Sequence, residues 1–315
     1  MALQTTASVG LSAEMKTFYD RTLLARTVPN LIYGQFGQGK NIPEGSGKTV
    51  EFRRFSGLVS ATTPLTEGTL YTDLKDLTVT AITATVIQYG NAVGFSDLVT
   101  TTTIDPILTE TTGILGDNAG ETIDDLVSSI VCAGTTVIYA STAAQRTDLT
   151  AAMIFTPTEV RRAVLQLKLN RARKIDGFYH AVIHPRTSYD LMNTTEWRDA
   201  QNLNRTGAIF DGSLGTLYGV KFWETDKAPG LVNLGNGGIV DVYQTMIFGA
   251  DAYGVVKLSG HNLRTIYKSL GSAGTADPLD QQQTMGWKCA FTTKILNDLF
   301  MVRFEHATST ANNAS

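Results

Sequence analysis

Apolar and polar positions change period several times along the chain, and each change marks an element. From Ser12, the apolar residues Met15, Phe18, Tyr19 and Leu23 follow helical spacing, and Pro29 stops that helix. Two β-rich runs come next, Thr49 to Phe55 (TVEFRRF) and Thr78 to Tyr89, both dense in Thr, Val and Ile. They face each other across a Gly/Pro/Thr-rich tip of about twenty residues. A hairpin turn normally takes two to five residues, and a lone two-stranded ribbon is marginal in water. The stretch Lys48 to Asp97 is therefore expected to be an arm stabilised by another surface, that of a neighbouring subunit. β-branched residues on both faces of the returning run fit contact on both sides.

Beyond the arm, Asp105-Pro106 predicts an N-cap followed by proline at the first helical position. The helix runs to about Ala133 and ends at Gly134, with Leu108, Leu115, Ala119, Ile123, Leu126 and Ile130 in one stripe. At 1.5 Å per residue it is about 40 Å long. Gly113, Gly116 and Gly120 weaken it and imply close packing. Asp117, Glu121, Asp124 and Asp125 are expected on a solvated acidic face. Thr135 to Tyr139 reads as a short strand and Ser141 to Thr150 as a linker. Thr156 and Glu159 form a capping-box pattern that opens a helix from Pro157 to about Arg173, with Val160, Ala163, Val164 and Leu167 inward. Its cations Arg161, Arg162, Lys168, Arg171, Arg173 and Lys174 form either a solvated basic face or a surface for phosphate or a subunit. Phe178 to His184, Leu217 to Thr225, Ile239 to Gly249 and Ala252 to Leu258 read as strands, with a short helix from Pro185 to about Asn193. Residues 194–215 and 259–284 read as irregular. Met285 to Ala307 ends in a strand with Phe300, Val302 and Phe304 alternating, and a polar flexible tail follows from Thr308. The fold class is α+β.

Composition narrows the function. Of 315 residues, 43% are hydrophobic, so the chain is globular, and only 17% are charged, against roughly 25% in average soluble domains. Low charge fits a protein that buries surface in contacts. A net charge of −3 argues against a dedicated nucleic-acid binder. Cys132 and Cys289 are expected as free, buried thiols. No signal-peptide pattern opens the chain, no apolar run approaches a membrane span, and the sequons at Asn193 and Asn204 carry little weight.

Two motifs invite a chemical reading and lack its context. Gly34, Gly39 and Lys40 satisfy G-x-x-x-x-G-K, and GSGKT (Gly45 to Thr49) copies the tail of a phosphate-binding loop. The first copy has Asn41 where the metal-binding hydroxyl belongs and is followed by Pro43. The second has Ile42 for the first glycine and runs into a strand, whereas the phosphate site needs a helix N-terminus. An NTPase is the weakest of the readings. His180 and His184 share zinc-protease spacing, but Ala181 replaces the base and the run is a strand. No catalytic, cofactor or metal site is assigned, and the chain is not read as an enzyme.

The order of elements resembles the HK97-like shell fold of tailed-bacteriophage major capsid proteins. The runs YDRTLLARTVPNLIYGQFGQ, GKTVEFRRFSGLVSATTPLTEG, VTAITATVIQYGNAVGFSD, IDPILTETTGILGDNAGETID and LYGVKFWET are similar to one family of these proteins. The resemblance implies an N-terminal arm and helix (1–47), an E-loop ribbon (48–97), a peripheral domain (98–150 and 281–307) with a spine helix (106–133), an axial α/β domain (151–280) and a tail (308–315). It implies pentamers and hexamers in an icosahedral shell around double-stranded DNA, bound without sequence specificity and without a membrane. Portal, a separate scaffolding protein and a decoration protein are the implied partners, and the virion capsid is the implied location. The alternative is an encapsulin-like nanocompartment. Arg53, Arg54, Pro64, Leu65, Glu67, Asp73 and Lys75 are the candidate contacts with a neighbouring subunit; the charged ones otherwise read as a solvated ribbon edge. Lys75 is the one candidate for an isopeptide cross-link, with no acceptor identified.

Overall fold

The computed structural model describes residues 23, 31–70, 72, 74–102, 107–203 and 214–310. The expected N-terminal arm, Met15, Phe18, Tyr19 and the stop at Pro29, the Asp105-Pro106 cap, Asp73 and the last residues of the tail lie outside the described residues. Leu23, on the apolar side of the expected first helix, is fully buried.

In chain order the elements are β1 (Gln38–Ile42), β2 (Thr49–Phe55), β3 (Val79–Thr85), β4 (Ile87–Ser96), α1 (Asp97–Thr102), α2 (Ile107–Val131), β5 (Val137–Tyr139), α3 (Pro157–Leu169), β6 (Tyr179–Ile183), α4 (Pro185–Met192), α5 (Thr195–Leu203), β7 (Gly215–Leu217), β8 (Val220–Glu224), β9 (Gly230–Leu231), β10 (Val242–Phe248), β11 (Tyr253–Leu258), β12 (Arg264–Lys268), β13 (Gln282–Ile295) and β14 (Met301–His306).

Long strand β13 organises one half. It carries β4 along one edge, and β12 and then β11 along the other, with β1 outermost beside β11. Helix α2 lies against this five-stranded sheet. Leu115, Ala119, Val127 and Val131 pack with Met285, Trp287 and Cys289, and Trp287 Nε1 donates to Asn118 Oδ1 at 3.0 Å. Gly113, Gly116 and Gly120 are all buried, so the helix meets its neighbours through positions without side chains. This is the close packing its glycines require.

The other half is a seven-stranded sheet in the order β5-β14-β10-β6-β8-β7, with β9 on β10. Every residue of β6 and β10 is buried, because this sheet is covered on both faces and strand alternation disappears. Helix α3 supplies part of the cover through Val160, Ala163, Val164 and Leu167. Tyr218 and Gly219 join β7 to β8 with φ of 51° and 80°, the twin left-handed positions of a tight hairpin turn. The sheets do not follow chain order. β11 and β12 belong with α2, while β14 crosses to the seven-stranded sheet after Asp298–Phe300.

Several local expectations are corrected. The returning run of the arm is two strands that change partner at Val86: β3 pairs with β2, and β4 pairs with β13. Residues 194–215 contain helix α5, and 259–284 contain β12. The glycine-rich stretch before the arm contains β1, parallel to β11. The Thr156 side chain makes no capping bond. The Glu159 carboxylate instead accepts from Ser141 N at 2.9 Å and Arg162 at 2.6 Å.

Asp124 is the largest correction to the expected acidic face of α2. It is fully buried and accepts the backbone N–H groups of Ile32 and Tyr33 at 3.0 and 2.8 Å. Burial raises its carboxyl from 3.8 to about 6, against the lowering pull of those amides. Tyr253 OH donates to the Tyr33 carbonyl at 2.5 Å, and Phe36 packs on His180, Trp223 and Phe248. Residues 31–36 therefore tie α2 to strands β6, β8 and β10. Among the described residues, no helix is long and apolar enough to cross a membrane.

Candidate subunit-contact surface

The ribbon of β2 and β3 is built from seven residue pairs, Thr49↔Thr85 to Phe55↔Val79, closed by Ser56 N donating to Thr78 O at 2.9 Å. Its root is anchored. Phe52, Ala84 and Val86 pack with Ile42, Val256, Ala290 and Leu296. Lys40 donates to the Glu51 carbonyl at 2.8 Å and sits 5.1 Å from the centre of the Phe52 ring. The lysine of the first phosphate-loop-like motif thus clamps the ribbon. In the second motif, Gly45 and Gly47 take φ of 82° and 84° in the turn that leads into β2. No helix follows either glycine run, so neither aims a helix N-terminus at a phosphate.

Beyond Phe55 the tip leaves the ladder and is exposed. Leu65 is 77% exposed, Leu70 85% and Leu74 84%, and Phe55, Leu58, Val59 and Leu77 are exposed with them. Singly exposed apolar residues are ordinary, but so many on one projection mark an interaction surface. Pro64, Glu67 and Lys75 are exposed on the same tip, and Arg53 and Arg54 on the outgoing strand. Arg53 pairs with Glu51 at 2.9 Å, both in solvent, where such a pair adds little stability. The remaining candidate, Asp73, is outside the described residues.

A cleft of about 990 Å³ lies beside the ribbon root and was not foreseen from the sequence. It brings Gln38, Gly39 and Lys40 of β1 opposite Phe52 to Gly57, with Arg173, Asp251, Leu299 and Phe300 on the body side. Arg173 was visible only as one cation of a basic stretch after α3, and Asp251 only as a turn residue.

The two candidate metal histidines are committed elsewhere. His180 Nδ1 accepts from Trp223 Nε1 at 2.9 Å, and His184 Nδ1 accepts from Arg186 N at 3.1 Å. Burial lowers the pKa of both. Among the described residues, no group of three or more His, Cys, Asp or Glu is placed to hold a metal. Cys132 and Cys289 are free and buried, and burial raises their thiols to about 12 and about 11.

No protein-family model and no curated protein sequence matches the chain. Its architecture does match solved structures over most of its length. The capsid of Ralstonia phage GP4 aligns with a TM-score of 0.70 at 15% identity, over 86% of this chain and 87% of that one. The capsid of cyanophage Pam1 aligns with 0.70 at 16% identity, over 91% and 93%. The virus-like particle from Pyrococcus furiosus aligns with 0.54 at 12% identity, over 92% and 99%. The chain therefore has the HK97-like, mixed α+β fold of tailed-phage capsid proteins.

Proposed function

We propose that this chain is the major capsid protein of a tailed phage. It assembles as pentamers and hexamers into the icosahedral shell of the virion, around double-stranded DNA that it holds without reading sequence. Its work is assembly rather than turnover. The carrying observation is the ribbon tip, a projection whose leucines have no core within the subunit. On this reading the ribbon is the E-loop, the five-stranded sheet with α2 as spine helix is the peripheral domain, and the seven-stranded sheet is the axial domain. Self-contact supplies the missing core, with Arg53, Arg54, Pro64, Leu65, Glu67, Asp73 and Lys75 as contact residues. Portal, scaffolding and decoration proteins are the further partners.

The test is to express the chain, with the scaffolding protein of its phage where one exists, and to size the product by electron microscopy. Closed icosahedral particles support the reading; only monomers and small oligomers under both conditions overturn it. The likeness to the Pyrococcus furiosus particle favours a second reading, a nanocompartment shell. Native particles filled with a co-purifying enzyme, in place of DNA and a portal, would select it.

A further inference from the structure

Two strand edges face each other across the cleft beside the ribbon root. β1 is the outermost strand of its sheet, and β2 pairs only with β3. Six consecutive residues from Phe52 to Gly57 line the cleft, whereas β3 contributes only Ile82. The edge of β2 that β3 leaves open therefore looks into the cleft. Open edges are templates for an added strand. Arg54 and Arg173 are exposed there, with Lys40 and Arg53 beside them and Asp251 as the opposing charge. Phe55 and Leu299 add exposed apolar surface at its rim.

The occupant that fits is an extended, leucine-bearing, acidic segment, and the chain itself carries one. The tip beyond the ladder has three carboxylates, Glu67, Asp73 and Asp76, against the single cation Lys75. Leu65, Leu70, Leu74 and Leu77 are exposed on it. Of the tip, only Ser56 and Gly57 touch the cleft of their own chain, so the complement comes from another copy. Resting on the shell reading above, we infer that the ribbon tip of one subunit seats in the cleft of the next, adding a strand between β1 and β2 and setting its carboxylates against Arg54 and Arg173. Each subunit then gives a tip and receives one, a head-to-tail contact of the kind that closes rings.

Cross-linking tests the placement. One chain carries Arg54→Cys. A second carries Leu65→Cys, Leu70→Cys or Leu74→Cys, and the two are co-assembled and mildly oxidised. The native thiols are buried and stay out of the reaction. The expected result is particles whose non-reducing gel shows a covalent dimer of the two chains as the major product, absent when either chain is alone. With both cysteines in one chain, covalent rings are expected. Particles without that dimer at any of the three positions, or a double variant bridged only within itself, overturn the seat while leaving the shell reading intact. Failure of the unmodified chain to form particles would instead overturn the shell reading.

Charge reversal decides the matter where a cysteine blocks assembly. Arg54→Glu with Arg173→Glu should leave a folded monomer by circular dichroism and abolish shells. Adding Glu67→Lys and Asp76→Lys to the same chain should restore them at low salt. No restoration from a folded chain overturns the seat.

Discussion

Phe52 of the ribbon closes over Gly254 of the body: a Cβ on Gly254 would fall 2.8 Å from Phe52 Cζ. The ribbon root sits where β11 has no side chain. Gly254→Ala must push Phe52 outward and should cost about 1–3 kcal/mol, the usual range for overpacking. Phe52→Ala should cost about 3 kcal/mol through the cavity it leaves. Urea unfolding gives both values, and hydrogen exchange locates them. Amides of β2 and β3 should lose protection before those of β13. Unchanged exchange in β2 would mean that Phe52 does not anchor the ribbon.

The Asp124 carboxyl gives a pH signature of defined sign. Its value rises from 3.8 to about 6 on folding, mainly through burial. The folded chain then holds this proton more tightly than the unfolded chain. The stability linked to Asp124 is highest below about 4 and declines as pH rises through 6, by roughly 3 kcal/mol at about 1.4 kcal/mol per unit. His306, which burial lowers to about 4, contributes with the opposite sign, so the wild-type slope alone is a sum. The difference between wild type and Asp124→Asn isolates the carboxylate. The asparagine variant should gain stability relative to wild type between pH 4 and 7. A difference independent of pH would refute the assignment.

Glu305 is fully buried and meets three partners: Arg146 at 2.6 and 2.7 Å, Arg303 at 3.0 Å and Gln244 at 3.1 Å. Arg146→Ala strips the two-pronged partner while the carboxylate stays buried. Losing one member of a buried pair is severe; with Arg303 retained, about 2–3 kcal/mol is expected in urea unfolding. Arg146→Met combined with Glu305→Leu should recover much of it. A neutral Arg146→Ala would show that Arg303 and Gln244 suffice.

The phosphate-loop look-alikes make a clean prediction as well. Isothermal titration with Mg-ATP should show no saturable binding. Lys48→Ala should leave stability unchanged, while Lys40→Ala should loosen the ribbon root by about 1 kcal/mol through the lost bond to the Glu51 carbonyl. Saturable ATP binding abolished by Lys48→Ala would revive the NTPase.

What was legible in the sequence was what composition and period encode locally. TVEFRRF, the glycine-marked spine helix and the strands around Tyr179 and Val242 fall where their residues place them. What escaped was set by partners distant in sequence. QGKNI has no strand composition and becomes β1 because β11 offers a parallel edge. The Thr/Val/Ile run through Val86 is chemically uniform, so nothing in it marks the point where one partner strand gives way to another. Asp124 reads as a surface acid, and its burial depends on two backbone donors about 90 residues away. The cleft had the same obstacle: Arg54, Arg173 and Asp251 meet only through topology. The tip was the reverse case, since its excess length over any hairpin turn already pointed outside the subunit.

The central claim is that the ribbon finds its core between subunits. Deleting residues 57–76 tests it most directly, because the cut removes the exposed tip and spares Phe52 and the anchored root. The account predicts a folded, soluble subunit by circular dichroism that forms no closed shells by electron microscopy, under conditions where the intact chain does. Normal shells from the deleted chain would contradict it.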